Sequence, residues 1–145
     1  MRQVRVRVLA GAVVGIALLA GCGSSSKSAE GDGPTTTVAP SPEDLRTSPA
    51  LVAAGLKKID TTVKELATVT GTDKARAEEL AEGIEKDWEP IEGTIRENDD
   101  EAYITFEDQF AVLGKAAAED DTARAKAAAA ILAKAVTDYL AAYPG

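Results

Sequence analysis

Histidine is absent from the 145 residues, and cysteine occurs once. Without imidazole there is no Ser-His-Asp or Cys-His nucleophile system, no His acid–base shuttle and no imidazole metal ligand. A single cysteine excludes an internal disulfide and any Cys-based zinc site. Aromatic residues are few: one Trp, three Tyr and two Phe. Bases are outnumbered, 16 against 24 acids, for a formal charge of −8. That balance argues against nucleic acid as a partner, because phosphate binding wants clustered Lys and Arg. Strand signals are also missing. What remains is a chain of one-domain length, built for helices and burdened with carboxylates.

The first residues read as an address. Arg2, Arg5 and Arg7 form a basic start, and an apolar run from Val8 to Gly21 follows. That run is too short to cross a ~30 Å hydrocarbon core as a stable helix and suits the core of a signal peptide. Its ending, Leu19-Ala20-Gly21-Cys22, resembles the lipobox of bacterial lipoproteins. In that family the cysteine thiol receives a diacylglyceryl group, and cleavage before it makes the cysteine the mature N-terminus. The resemblance implies a signal peptide over residues 1–21 and lipidation at Cys22. Palmitate-type chains would then hold the protein on the extracytoplasmic face of the cell membrane. The other reading is an ordinary secretory leader with an incidental cysteine. Each buried CH₂ is worth ~0.8 kcal/mol, so two acyl chains anchor firmly where one is marginal. Removal of residues 1–21 takes away three Arg and no acid, which moves the formal charge from −8 to −11.

Residues 22–47 carry the anchor and a spacer rich in Gly, Ser, Thr and Pro, with little apolar surface to offset the entropy of ordering. About 25 such residues reach roughly 25–30 Å if flexible. Residues 48–145 read as an all-α, antiparallel up-down four-helix bundle. Ser48-Pro49 is a cap followed by a first-turn proline. Val52, Leu56, Ile59, Val63 and Leu66 recur at spacings of three and four, and Gly71 stops that helix. Thr72-Asp73 starts the second helix, with Leu80, Ile84, Trp88, Ile91 and Ile95 on one face and a bend expected at Pro90. Asn98-Asp99-Asp100 separates the third helix, which carries Tyr103, Phe106, Phe110, Leu113 and Ala117. Asp120-Asp121 opens the fourth, lined by Ala125, Ala128, Leu132, Val136, Tyr139 and Tyr143.

Acidity is concentrated. From Glu78 to Asp108 there are 13 acids and only two bases, Lys86 and Arg96. Glu78, Glu82, Glu85, Glu89 and Glu92 keep the helical period and form a stripe beside the apolar face. One reading is a solvated face that keeps an anchored protein soluble. The other is a site for a divalent or ferric cation, because clustered carboxylates are hard oxygen ligands. In an antiparallel bundle, Trp88, Tyr103, Phe106, Tyr139 and Tyr143 gather at one pole, rimmed by Glu89, Glu92, Asp99, Asp100 and Glu107. Glu92 and Glu107 then face each other from adjacent helices, the minimal metal-binding arrangement of a bundle.

Trp88-Glu89-Pro90-Ile91-Glu92, Ile95-Arg96, Asp99, Tyr103, Phe106-Glu107, Phe110 and Leu113 resemble the extracytoplasmic helical region of bacterial high-affinity iron permeases. They are also similar to imelysin-like iron-uptake components. The likeness spans about Ala81 to Tyr143. It implies a helical bundle that handles metal ions beside a membrane transporter, with Glu89, Glu92 and Glu107 as the inherited ligands. The membrane Arg-Glu-x-x-Glu motif of the permeases is missing, so this chain does not itself transport. The His-x-x-Glu motif of the imelysin-like proteins is impossible here, which restricts any site to oxygen. The expectation is therefore a non-enzymatic lipoprotein, without a cofactor fixed by the sequence, that binds metal cations or assists iron uptake. The alternative is an envelope interaction module docking a membrane partner through its acidic and aromatic pole. A glycosidase-like use of the Glu92 and Glu107 pair is disfavoured, since a slim bundle offers little room for a sugar cleft.

Overall fold

A computed structural model describes residues 41–145. The leader, Cys22 and most of the spacer lie outside the described residues. Within them the protein is all-α, with five helices: α1 (Pro49–Val69), α2 (Lys74–Trp88), α3 (Glu92–Asn98), α4 (Asp100–Glu119) and α5 (Thr122–Ala142). A short 3-10 turn, Pro42–Asp44, precedes them. No helix among the described residues is long and apolar enough to cross a membrane.

Sequence caps set most of the boundaries. Ser48 accepts from the Leu51 amide with Pro49 in the first turn, and Asp73 accepts from the Arg76 amide at 3.1 Å. Asp99 and Asp121 accept from the Ala102 and Arg124 amides at 2.9 and 3.0 Å. Each carboxylate satisfies one of the orphan N–H groups at a helix start. Gly71 follows α1 with φ +85°, a conformation that an added Cβ would strain.

One boundary departs from expectation. The second helix was expected to bend at Pro90 and run on through Ile95; instead it ends at Trp88, and a separate α3 begins at Glu92. Pro90 has no N–H to continue the ladder, and the Ile91 amide donates to the Trp88 carbonyl three residues back, a tight turn in place of a helical one. Ile91 and Ile95 nevertheless stay buried. The break redirects the chain without removing its apolar face from the core. Gly55 of α1 leaves the space that the Ile91 side chain fills; a Cβ there would stand 2.9 Å from its Cδ1.

The core is continuous. Helix α1 packs against α2 and α5, and α4 packs against α5 and α2, so the four long helices surround one interior. Leu56, Ile59, Val63 and Leu66 from α1 meet Leu80, Ile84 and Trp88 from α2, Phe106 and Leu113 from α4, and Leu132 from α5. Small residues of α4 and α5, including Ala116, Ala125 and Ala128, are also buried and allow close approach. Helix α3 caps one end, against α4 and the Pro42–Asp44 turn.

The end of the spacer is seated on α3. The Thr47 amide donates to Thr94 Oγ1 at 2.8 Å, Arg46 pairs with Glu97, and Arg96 pairs with Glu43. Gly93 makes this possible, because a Cβ there would lie 2.3 Å from the Leu45 carbonyl oxygen and 2.5 Å from that of Glu43.

Candidate functional site

The Glu89-Pro90-Ile91 break decides the chemistry of this pole. Had α2 continued, Glu92 would extend the exposed stripe of Glu78, Glu82 and Glu89. The turn instead carries Glu92 inward, between Ile91 and the buried Gly93-Thr94-Ile95 segment, where it retains 7% exposure. No hydrogen bond or ion pair joins its carboxylate to another described residue. The Glu92 oxygens are not among the buried polar atoms that lack a partner, so the carboxylate sits at the edge of the core, partly desolvated and still in reach of water.

Neighbouring carboxylates add to the effect of burial. Burial pushes the Glu92 carboxyl above the usual range, and the negative fields of Glu107, Glu43, Glu85 and Glu89 push the same way. Glu85 is raised by partial desolvation and by Glu107 and Glu89. Every charge named in these two shifts is negative.

Helix α4 supplies the facing wall. Trp88, fully buried at the end of α2, donates its indole N–H to the Glu107 carboxylate. Its ring lies 5.2 Å from both Phe106 and Phe110 and stacks on Tyr103 at 6.0 Å with 22° between planes. Arg96 of α3 lies over the Tyr103 ring, 5.5 Å from its centroid, which brings α3 against the start of α4. The Tyr103 hydroxyl is held above its ordinary pKa by desolvation and by Glu107, Glu43 and Glu92, against a smaller opposing effect of Arg96.

Glu92 and Glu107 thus share one electrostatic neighbourhood. Glu89 is exposed at the end of α2 and acts on it from outside. Among the described residues, no group of three or more Asp, Glu, Cys or His stands close enough to hold a metal ion. Asp99 is committed to its cap, and Asp100 lies 4.0 Å from Arg96. Cys22 lies outside the described residues.

The aromatic pole divides in two. Trp88, Tyr103, Phe106 and Phe110 form one cluster, whereas Tyr139 and Tyr143 pair with each other at 4.8 Å. Asn98 fastens that second pair: its amide donates to the Tyr139 hydroxyl at 2.9 Å, and Tyr143 donates to its carbonyl at 2.7 Å. Sequence reasoning overlooked Glu43 as a neighbour, since nothing local in a Pro- and Thr-rich stretch places it on α3. Tyr103 carried a usable signal, standing four residues before Glu107 on one helical face.

No protein-family model matches the chain, and no curated protein or solved structure matches it.

Proposed function

We propose that this is a lipid-anchored extracytoplasmic lipoprotein whose up-down helical bundle binds metal cations through Glu92 and Glu107, with Glu89 at the rim, beside an iron-uptake system. It does so without catalytic turnover, tethered to the membrane by Cys22 and serving a transporter partner. The observation that carries the reading is Glu92, a residue only 7% exposed, whose partly desolvated carboxylate lies in the field of four other glutamates. A cation relieves both the desolvation and the mutual repulsion, which makes binding stabilising. The absence of His and of a second Cys points to hard ions.

Binding only to the folded state raises stability by RT ln(1 + [L]/Kd). Manganese, calcium or ferric iron is therefore expected to raise the melting temperature of the full chain in detergent. Replacing both glutamates, Glu92→Gln with Glu107→Gln, abolishes the increase. If none of these ions moves the melting temperature, the reading fails.

A second reading has one observation in its favour. A groove of about 600 Å³ lies between α4 and α5, lined by Ala102, Ala130 and Ala135 and, at the same pole, by Asp99 and Tyr139. Ile131 on its wall is 46% exposed. An envelope partner docking there would make the protein an interaction module. Pull-down with the native chain and with an Ile131→Asp variant distinguishes this from cation binding.

A further inference from the structure

We infer that the groove between α4 and α5 is closed by a second copy of this chain, docked on a two-fold axis at the level of Val136. Such docking rests on the groove reading above and needs no bound cation.

Apolar surface is left uncovered here. Ile131 on the groove wall is 46% exposed, and Ile104, next to the lining residue Thr105, is 50% exposed. The wall contributed by α5 runs from Ala130 to Ala142, about 18 Å of helix. Its alanines leave room for another helix to come close.

The order of residues along that wall identifies the occupant. Lys134 and Asp138 stand two positions either side of Val136, Ile131 and Ala141 five positions, and Ala130 and Ala142 six. Turned end for end, α5 offers a cation opposite its own anion and a bulky side chain opposite a small one. An antiparallel second α5 therefore sets Lys134 of each copy against Asp138 of the other. Ile131 of each copy meets Ala141 and Ala142 of the other. Glu101 adds a second acid at the Asp138 end of the groove, because Asn98, just before α4, bonds both Tyr139 and Tyr143. Within one copy Lys134 pairs with Asp138 one turn on, yet the two side chains stay 76% and 61% exposed, open to pairing across the axis. A foreign partner gives a groove no reason to carry its own complement in reverse. An isologous contact requires it.

The isoleucines supply the attraction, and the charges set the register, since exposed ion pairs contribute little to strength. A strip of this length belongs to the small class of interfaces, below about 1,200 Å² in total, so the dimer dissociates on dilution.

The test is sedimentation equilibrium of the full chain in density-matched detergent over a range of concentrations. The expected protein mass is that of two chains at high concentration and of one at low. Ile131→Asp gives a monomer throughout, with the helical circular dichroism of the parent. Lys134→Glu and Asp138→Lys each weaken the dimer by about tenfold or more. An equimolar mixture of those two variants regains the parent's affinity, because each copy then meets its opposite charge. A mixture no tighter than the separate variants overturns the two-fold pairing. A dimer indifferent to all three substitutions places the contact elsewhere and overturns it too. A parent that stays monomeric overturns the second copy as occupant; if Ile131→Asp then loses an envelope partner in the pull-down, the groove reading stands with a foreign occupant.

Discussion

The two ends of the bundle solve the same problem, turning a helical chain, in opposite ways. At one end the α1–α2 and α4–α5 turns lock together. Thr122 donates to the Thr70 carbonyl at 2.8 Å, and Thr70 donates to that of Leu66 at 2.8 Å. Lys74 reaches the Ala118 carbonyl, and Asp120 takes the left-handed conformation at φ 56° to close α4. Several otherwise orphaned helix-end groups thereby find a partner. At the other end Pro90 breaks the helix, Glu92 goes inward without a partner, and like charges accumulate. The locked end therefore holds through hydrogen bonds across its two turns, and the opposite end through its aromatic cluster and the pairs Arg46–Glu97 and Arg96–Glu43. The positive-φ residues among those described, Gly71 and Asp120, both lie at the locked end, so the tight backbone turns gather at one end and the like charges at the other.

The largest effect that separates the ends is expected at Trp88. It is fully buried and anchors both the aromatic cluster and Glu107, so Trp88→Ala should cost about 3–5 kcal/mol in chemical denaturation. Trp88→Phe keeps most of the bulk and costs less, which isolates the indole N–H.

Next comes Gly71→Ala at the locked end. A Cβ there would meet Thr122 Oγ1 at 2.5 Å, on a residue whose φ is +85°, and the loss should be about 1–3 kcal/mol.

The pole bearing Glu92 behaves differently with pH. Its carboxyl and that of Glu85 titrate above their ordinary values in the folded chain, so the folded state binds protons more tightly than the unfolded one. Their contribution to stability is fully present below the ordinary carboxylate pKa and is lost as pH rises through the raised values. Glu92→Gln cannot ionise and should flatten that decline, giving a protein more stable than the parent near neutrality without added cation. A steeper decline in Glu92→Gln would contradict the assignment.

The smallest effect is expected from Lys74→Ala. Its side chain is about half exposed, its pairs with Glu78 and Asp120 are long, at 3.8 and 3.9 Å, and its hydrogen bond to the Ala118 carbonyl is exposed as well. Exposed interactions of this type contribute roughly 0–1 kcal/mol, so the melting temperature should scarcely move. A large loss would mean that the locked end depends on charge and not on its turn geometry.

Much of the architecture was legible because it depends on short-range rules. The apolar stripes of α1, α4 and α5, the Asp73, Asp99 and Asp121 caps and the stop at Gly71 all follow from spacing and side-chain chemistry within a few residues. Proline at position 90 was legible as a disturbance, but whether it bends or severs a helix depends on whether the chain beyond it can still reach the core. Ile91 and Ile95 do reach it after the break, with Ile91 fitting beside Gly55. That Glu92 lies in the field of Glu107 was legible from helix pairing, yet the burial of Glu92 was not, because it results from that break. Glu43 and Arg46 could not be placed at all: their partners, Arg96 and Glu97, lie about fifty positions away and leave no periodic trace.

Gly93 shows how a steric requirement can imitate a functional one. Glycine inside a helix ordinarily costs about 0.5–1 kcal/mol relative to alanine, so Gly93→Ala would seem a routine improvement. Here the added methyl would collide with two backbone carbonyls of the segment lying across α3, and neither can rotate away as a side chain would. The position therefore has no neutral substitute. In any set of descendants of this sequence it should resist replacement as stubbornly as a ligand, although it touches no ion and carries no reactive atom.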